Sequence, residues 1–199
     1  MSPAPSIAEL WLRHLAEHPE EVQATGRDRS PLALEEAVRR TGAILLQARE
    51  RRRKAMVIGN GGSAAIASHM QTDLCHSLGM RGLVFNEPPL LTALANDHGY
   101  PNAFQRLVKL WADDGDALVA ISSSGRSANI LGACAEARER GLALVTYSGF
   151  APDNPLRQLG DVNFYVASDR YGPVETGHAV LIHHLTDHLL AILRSEAQA

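Results

Sequence analysis

The sequence predicts a three-layer α/β domain built on a doubly wound parallel sheet. From Lys54 onward, short apolar segments alternate with helical patterns. Most of the apolar segments are aliphatic or β-branched and show no polar alternation, which is typical of parallel strands buried on both faces. Because repeated strand–helix alternation brings successive strands into one sheet, helices are expected on both of its faces.

The expected elements follow in order along the chain. An amphipathic helix is predicted over 7–18. A second helix is predicted from Ser30-Pro31 to about Arg53, since proline suits a first helical turn and serine can cap it. Residues 1–53 are thus expected to form a helical pair within the same domain as an α/β core at 54–199. The predicted strands are 55–58, 82–85, 117–121, 142–147 and 162–166, with helices near 63–78, 88–96, 102–112, 127–140 and 175–195.

Composition excludes several classes of protein. A length of 199 residues suits one domain, and a net charge of −3 gives no general attraction to nucleic acid or anionic membranes. No apolar stretch is long enough to span a bilayer, and the N-terminus lacks the pattern of a signal peptide, so a cytoplasmic location is expected. Two cysteines, Cys75 and Cys134, are too few for a disulfide framework.

Two loops at the carboxyl ends of predicted strands have the composition of a phosphate-binding cradle. The first, Gly-Asn-Gly-Gly-Ser at 59–63, offers accessible backbone amides and the positive end of the following helix. The second, Ser-Ser-Ser-Gly-Arg-Ser at 122–127, offers four hydroxyls before another helix start. Taken singly, the loops could be a tight turn and a serine-rich connector. Ligands bind at this edge of doubly wound sheets, so together they predict a phosphate site.

Histidine and carboxylate side chains at helical spacing indicate a second centre. His69 and Asp73 lie four residues apart on the helix after the first loop and share one face. Glu175 and His183 lie about two turns apart near the C-terminus and can converge on one cleft. Two imidazoles and two carboxylates suit Zn²⁺ or a similar divalent ion.

Helical spacing alone does not determine which histidines serve that centre. His178 points away from His183 on the same helix, so both cannot serve one centre. The helix also carries His184, Asp187 and His188. Pairs four apart among these residues have metal-compatible spacing as well, so the choice stays open at this level.

Four ordered segments resemble the SIS (sugar isomerase) domain family and, within it, the phosphoheptose isomerases. They are GNGGSAAIASHMQTDL at 59–74, LTALANDHGYPNAF at 91–104, GDALVAISSSGRSANIL at 115–131 and VETGHAVLIHHL at 174–185. The resemblance implies a five-stranded parallel sheet between helices. It also implies a homotetramer with a central bundle of N-terminal helices and active sites where subunits meet. The implied activity is the interconversion of sedoheptulose 7-phosphate and D-glycero-D-manno-heptose 7-phosphate through an enediol.

The resemblance also assigns roles to individual residues. Asp73 and His183 are implied to be the acid–base pair of an aldose–ketose isomerase. One zinc ion per subunit is implied, held by His69, Asp73, Glu175 and His183. The residues implied to bind the phosphorylated sugar are Asn60, Gly61, Gly62, Ser63, Asp97, Ser122, Ser123, Ser124, Ser127 and Glu175.

Three residues depart from the family pattern. Asp73 replaces a glutamate, Glu175 replaces a glutamine, and Arg126 replaces an asparagine expected beside the phosphate. These differences leave open a different phosphosugar substrate, such as a hexose or amino-sugar phosphate. A non-catalytic SIS-domain protein that assists the replication initiator is a further alternative, although that relative lacks the acidic residue and the distal histidine present here as Asp73 and His183.

Overall fold

A computed structural model describes residues 22–197, so the helix predicted over 7–18 lies outside the described residues. The strands are β1 (Val22–Gly26), β2 (Pro31–Leu32), β3 (Lys54–Ile58), β4 (Arg81–Val84), β5 (Ala117–Ser122), β6 (Ala143–Ser148) and β7 (Val162–Val166). The helices are α1 (Leu34–Glu50), α2 (Gly62–Thr72), α3 (Pro88–His98), α4 (Ala103–Trp111), α5 (Ala128–Glu139) and α6 (Tyr171–Glu196). A π-helical turn, Asp73–Ser77, continues α2.

The five predicted strands are confirmed as the parallel part of a seven-stranded sheet. The strand order is β2-β1-β7-β6-β5-β3-β4, and the pairs from β7 through β4 are all parallel. Every residue of β3, β5 and β7 is buried. This explains why these segments lack a polar alternation, because both faces of each strand are covered.

Helices cover the sheet on both faces, which confirms the three-layer architecture. One apolar cluster joins the sheet to α1, α2 and α6 through residues such as Leu45, Met70 and Ile182. The second joins the other face to α4 and α5 through residues such as Phe104 and Ile130, with α3 packed at its margin. The helices α2 and α6 therefore lie on the same face, and the two halves of the predicted site meet there.

The predicted helix start at Ser30-Pro31 is wrong, because these residues belong to a β-hairpin. Pro31 lies in the edge strand β2, where a residue without an amide proton is tolerated. The Ser30 hydroxyl donates to Asp28 Oδ1 at 2.6 Å and so does not cap a helix. The following helix begins at Leu34 and ends at Glu50, short of the predicted Arg53.

The hairpin extends the sheet beyond the predicted five strands. β1 pairs antiparallel with β7, with Val22 opposite Val166 and Gly26 opposite Val162. Residues 22–32 thus complete the sheet of the α/β core, although the sequence analysis placed them in an N-terminal segment, 1–53, whose expected elements were two helices. Among the helices of residues 22–197, none combines the length and apolar character that crossing a membrane requires.

Candidate active site

The two predicted cradle loops meet at the carboxyl edge of the sheet. β3 and β5 are adjacent and parallel, so the loops that follow them emerge side by side. Between the loops and the start of α6 lies a cavity of about 260 Å³. It is lined by Asn60, Gly61, Gly62, Ser63, Ser122, Ser123, Ser124, Ser127, Tyr171 and Glu175. We call these ten residues the cradle.

The first loop presents the amino terminus of α2 to the cradle. Gly61 has a φ of 54°, a left-handed conformation that favours glycine. Its carbonyl accepts from the Ala64 and Ala65 amides at 3.0 and 3.2 Å, which starts the helix. The amides of a first helical turn have no acceptor within the helix. Those of Gly62 and Ser63 are therefore placed to bind an anion.

Asn60 is held in place by its neighbours across the cradle. Its amide group exchanges two hydrogen bonds with the side chain of Asn129, at 2.9 and 3.0 Å. The hydroxyl of Tyr100 donates to Asn60 Oδ1 at 2.7 Å. Two elements that the sequence analysis did not connect, α5 and the turn before α4, thus fix the first loop.

The second loop turns its hydroxyls inward around Gly125. The hydroxyls of Ser122 and Ser127 lie 3.2 Å apart, and Ser123 Oγ is buried without a partner among residues 22–197. Gly125 has a φ of 61°, and a Cβ at this position would overlap the side chain of Asn154. The sequence pattern therefore requires glycine here for both backbone and space.

Asn154 supports the serine loop and was missed by the sequence analysis. The side chain is fully buried and donates to backbone carbonyls of Gly149 and Ala151 at 3.1 and 2.9 Å. Its Oδ1 accepts from the Arg157 amide at 3.0 Å. An asparagine in a loop signals turn chemistry, but nothing in the local sequence indicates that it packs against Gly125.

The cradle contains neutral donors and one carboxylate. Among residues 22–197, no lysine or arginine lines the cavity, and Glu175 is the charged residue in its wall. The expectation of a cation beside the phosphate is not met, because the Arg126 guanidinium lies 3.3 Å from Asp153 on the surface. Neutral amide and hydroxyl donors must therefore supply the attraction for an anion.

The second predicted centre forms where α2 meets α6. The ligand atoms of His69, Asp73 and His183 all lie within 4.8 Å of one another. His69 Nε2 is 3.5 Å from Asp73 Oδ2, and the rings of His69 and His183 are 4.6 Å apart between centroids. The structure thus brings together the two residues expected to act as the acid–base pair. We call these three residues the triad.

The triad has the composition of a zinc site. Two imidazoles and one carboxylate, with a fourth position left for water or substrate, are typical of catalytic zinc. Ligand atoms around a tetrahedral zinc ion lie about 3.3 Å apart, so the spacing of the triad is somewhat wider than a bound ion would impose. The donor set fits the metal.

Two predicted site residues lie away from the triad. Glu175 is not part of that group, and its carboxylate lies in the cradle against Gly62. Asp97 is exposed on α3, where its Oδ1 accepts from Asn96 at 2.8 Å, and it does not line the cradle.

His178 lies in the core, on a different side of α6 from His183, as the helical spacing of the two residues predicted. It is fully buried, and its Nε2 lies 3.0 Å from the carbonyl oxygen of Ser148. Burial lowers the pKa of His178 to about 4, and the hydrogen bond with Ser148 opposes this shift. The ring is therefore neutral near pH 7, and Nε2 is the donor to Ser148. His178 is thus separate from the triad, to which His183 contributes.

The cradle and the triad are separated along the same two helices. His69 follows Gly62 by seven residues, and His183 follows Glu175 by eight. At a rise of 1.5 Å per residue, both intervals correspond to about 10–12 Å along the helix axes. The cradle therefore lies at the amino-terminal end of both helices, and the triad lies about two turns further along them.

Comparisons with known proteins show the family to which this fold belongs. A family model described as the SIS domain matches residues 25–149. The phosphoheptose isomerase of Geobacter metallireducens is 32% identical over 185 residues, covering 90% of this chain and 95% of the relative. The phosphoheptose isomerase of Geobacter sulfurreducens is 37% identical over 141 residues, covering 68% of this chain and 74% of the relative.

Solved structures show the same relationship. The phosphoheptose isomerase GmhA from Neisseria gonorrhoeae superposes with a TM-score of 0.77 at 26% identity, covering 92% of this chain and 98% of that one. A phosphoheptose isomerase from Francisella tularensis superposes with a TM-score of 0.71 at 26% identity, covering 79% of this chain and 86% of that one. Fold and site together define an α/β domain of the sugar-phosphate-binding class. The chain belongs to the SIS-domain family, within its phosphoheptose isomerase group.

Proposed function

We propose that this protein is an aldose–ketose isomerase that interconverts sedoheptulose 7-phosphate and D-glycero-D-manno-heptose 7-phosphate. The observation that carries the proposal is the presence of both the cradle and the triad on the same pair of helices. The relatives named phosphoheptose isomerase support the choice of substrate.

The separation of the two centres suits a seven-carbon substrate. With bonds of about 1.5 Å, an extended heptose 7-phosphate measures roughly 10 Å from phosphorus to C1. A phosphate in the cradle would then place C1 and C2 at the triad. A triose phosphate would be too short to occupy both centres, which argues for a long sugar chain.

The triad can carry the proton transfer of the isomerisation. The reaction moves a proton between C1 and C2 through an enediol, so it needs a base at carbon and an acid at oxygen. Asp73 is the candidate base, since its side chain is only 16% exposed and it lies beside two imidazoles. His183 is the candidate acid, because its ring reaches the same position from α6.

Zinc is part of the proposal. An ion held by His69, Asp73 and His183 would polarise the carbonyl and hydroxyl oxygens of the sugar. Asp73 has two oxygens, so one can serve as a ligand while the other takes the proton. Glu175 would act in the cradle. This differs from its role as a fourth ligand in the family pattern.

The proposal extends to the oligomeric state, for which the support is the resemblance to the family. We infer a homotetramer whose active sites lie near the boundaries between subunits. In such an assembly, a neighbouring subunit would bring its Asp97 to the sugar. Light scattering after size-exclusion chromatography would measure the mass. The cytoplasmic location expected from the sequence stays a prediction.

The deciding experiment is an isomerase assay on the purified protein. Sedoheptulose 7-phosphate should be converted to the heptose 7-phosphate, with loss of activity in a chelator and recovery on adding Zn²⁺. Ketohexose and amino-sugar phosphates should be poorer substrates by at least tenfold in kcat/KM. Preference for one of these shorter sugars would replace the heptose assignment. Failure to isomerise any phosphosugar would favour a binding protein instead.

A further inference from the structure

We propose that Thr186 is a positioning residue for the Asp73 carboxylate. Thr186 lies on α6, one turn beyond His183, and its hydroxyl donates to Asp73 Oδ2 at 3.2 Å. The contact joins residues 113 positions apart and connects the two helices that form the triad. The inference rests on the proposed function, in which Asp73 acts as the base.

The Thr186 hydroxyl lies within hydrogen-bonding distance of two acceptors. It lies 3.0 Å from the carbonyl oxygen of Ile182 in its own helix as well as 3.2 Å from Asp73. A hydroxyl donates only one proton. An ionised carboxylate is a stronger acceptor than a peptide carbonyl, so the proton is directed to Asp73 whenever that group is charged. Thr186 is 8% exposed, which protects this bond from competition by water.

The bond holds one particular oxygen of Asp73. Oδ2 receives the Thr186 hydroxyl and also lies 3.5 Å from His69 Nε2. With Oδ2 held from two sides, the plane of the carboxylate is set and Oδ1 is left for another contact. Asp73 lies where α2 passes into its π-helical turn, so its backbone position is set by an irregular helix. A second anchor from α6 fixes the short side chain.

A change from Thr186 to Val tests this role, because valine keeps the shape and removes the hydroxyl. We expect Thr186→Val to lower kcat by about tenfold, the size typical for residues that orient an active-site ligand, with KM changed less than twofold. Thr186→Ser, which keeps the hydroxyl, should stay within threefold of the parent kcat. Thr41→Val is the matched control, since Thr41 is also buried and its hydroxyl has no partner among residues 22–197.

Zinc affinity gives a readout that does not depend on turnover. In competition with a chromophoric chelator, Thr186→Val should bind Zn²⁺ about tenfold more weakly, while Thr186→Ser and Thr41→Val keep the parent affinity. A parent protein that binds zinc but does not isomerise would overturn the proposed function alone, and the affinity series would still decide the role of Thr186.

Several outcomes would overturn the inference. Equal losses of kcat and zinc affinity in Thr186→Val and Thr186→Ser would show that the effect comes from packing and not from the hydroxyl. Parent-like kcat and zinc affinity in Thr186→Val would show that the bond does nothing. If the valine variant does not fold, Thr186→Ala and Thr186→Ser form the comparison instead. A parent protein that neither isomerises nor binds zinc would remove the site that Thr186 serves.

Discussion

The carboxylate of Glu175 lies so close to the α-carbon of Gly62 that no side chain fits between them. This contact closes one wall of the cradle and joins the start of α2 to the start of α6. Gly62 is therefore needed for the space that it leaves, whereas Gly61 beside it is needed for its left-handed backbone.

The Gly62–Glu175 contact predicts a binding defect in Gly62→Ala. A methyl group there would overlap the Glu175 carboxylate and push it into the cavity. We expect KM for sedoheptulose 7-phosphate to rise at least tenfold, with a smaller change in kcat. Steady-state kinetics measure both. Gly132→Ala is the control, because a Cβ at Gly132 meets its nearest neighbour at an ordinary 3.4 Å; a similar defect there would point to a general effect of added methyl groups.

Replacing Glu175 by Gln should strengthen phosphate binding. The change removes the carboxylate from a cavity that otherwise offers neutral donors. Two negative charges a few ångströms apart repel by about 1 kcal/mol or more, so KM and the inhibition constant of inorganic phosphate should fall several-fold. Zinc affinity should change less than twofold. A large loss of zinc affinity would instead make Glu175 a ligand, as the family pattern implies.

Asp73→Asn should remove the chemistry while keeping the fold. An amide cannot accept the proton from carbon, so kcat should fall at least 100-fold. Circular dichroism should match the parent protein. Asp187→Asn is the control on α6, because Asp187 is exposed and lies outside the triad. Near-normal turnover in Asp73→Asn would exclude Asp73 as the base.

The buried His178 predicts a loss of stability in acid. Its folded pKa is about 4, against an ordinary value of 6.5, because burial disfavours the charged ring. Between these values the unfolded chain binds more protons than the folded one, so stability falls as pH drops below 6.5. From pH 7 to pH 5, the contribution of His178 amounts to about 2 kcal/mol.

Urea unfolding at the two pH values measures this effect. His178→Gln should be less stable at pH 7 but lose less stability on acidification than the parent protein. His98→Gln, which changes an exposed histidine on α3, should keep the parent pH dependence. If the free energy of unfolding falls equally between pH 7 and pH 5 in His178→Gln and in the parent protein, His178 is not the group responsible.

The five parallel strands could be predicted because a strand buried on both faces consists mainly of consecutive apolar residues, a pattern that is local in the sequence. Residues 117–121 of β5, for example, are all apolar and all buried, and such a run is visible in the sequence without the fold. The hairpin at 22–32 has no such run of buried apolar residues. β1 is only partly buried and β2 has two residues, while Pro31 after a serine matches a helix start as well as an edge strand.

The cradle and the triad differ in what could be foreseen. The loops were recognisable because glycines and serines cluster within six residues after a buried strand. Asn154, Tyr171 and Thr186 were not, since each reaches the site from a distant element and has an ordinary local sequence.

By itself, the sequence determined the βα alternation, the two loops rich in glycine and serine, and the shared helix face of His69 and Asp73, whereas the choice of His183 came from the family resemblance. These depend on periodicity and turn chemistry, which act over a few residues. Only the tertiary structure decided that Glu175 lies with the cradle and outside the triad, that Arg126 turns to Asp153 and that Thr186 contacts Asp73. Those outcomes depend on how α2 and α6 pack, and on which surface partner a flexible side chain finds.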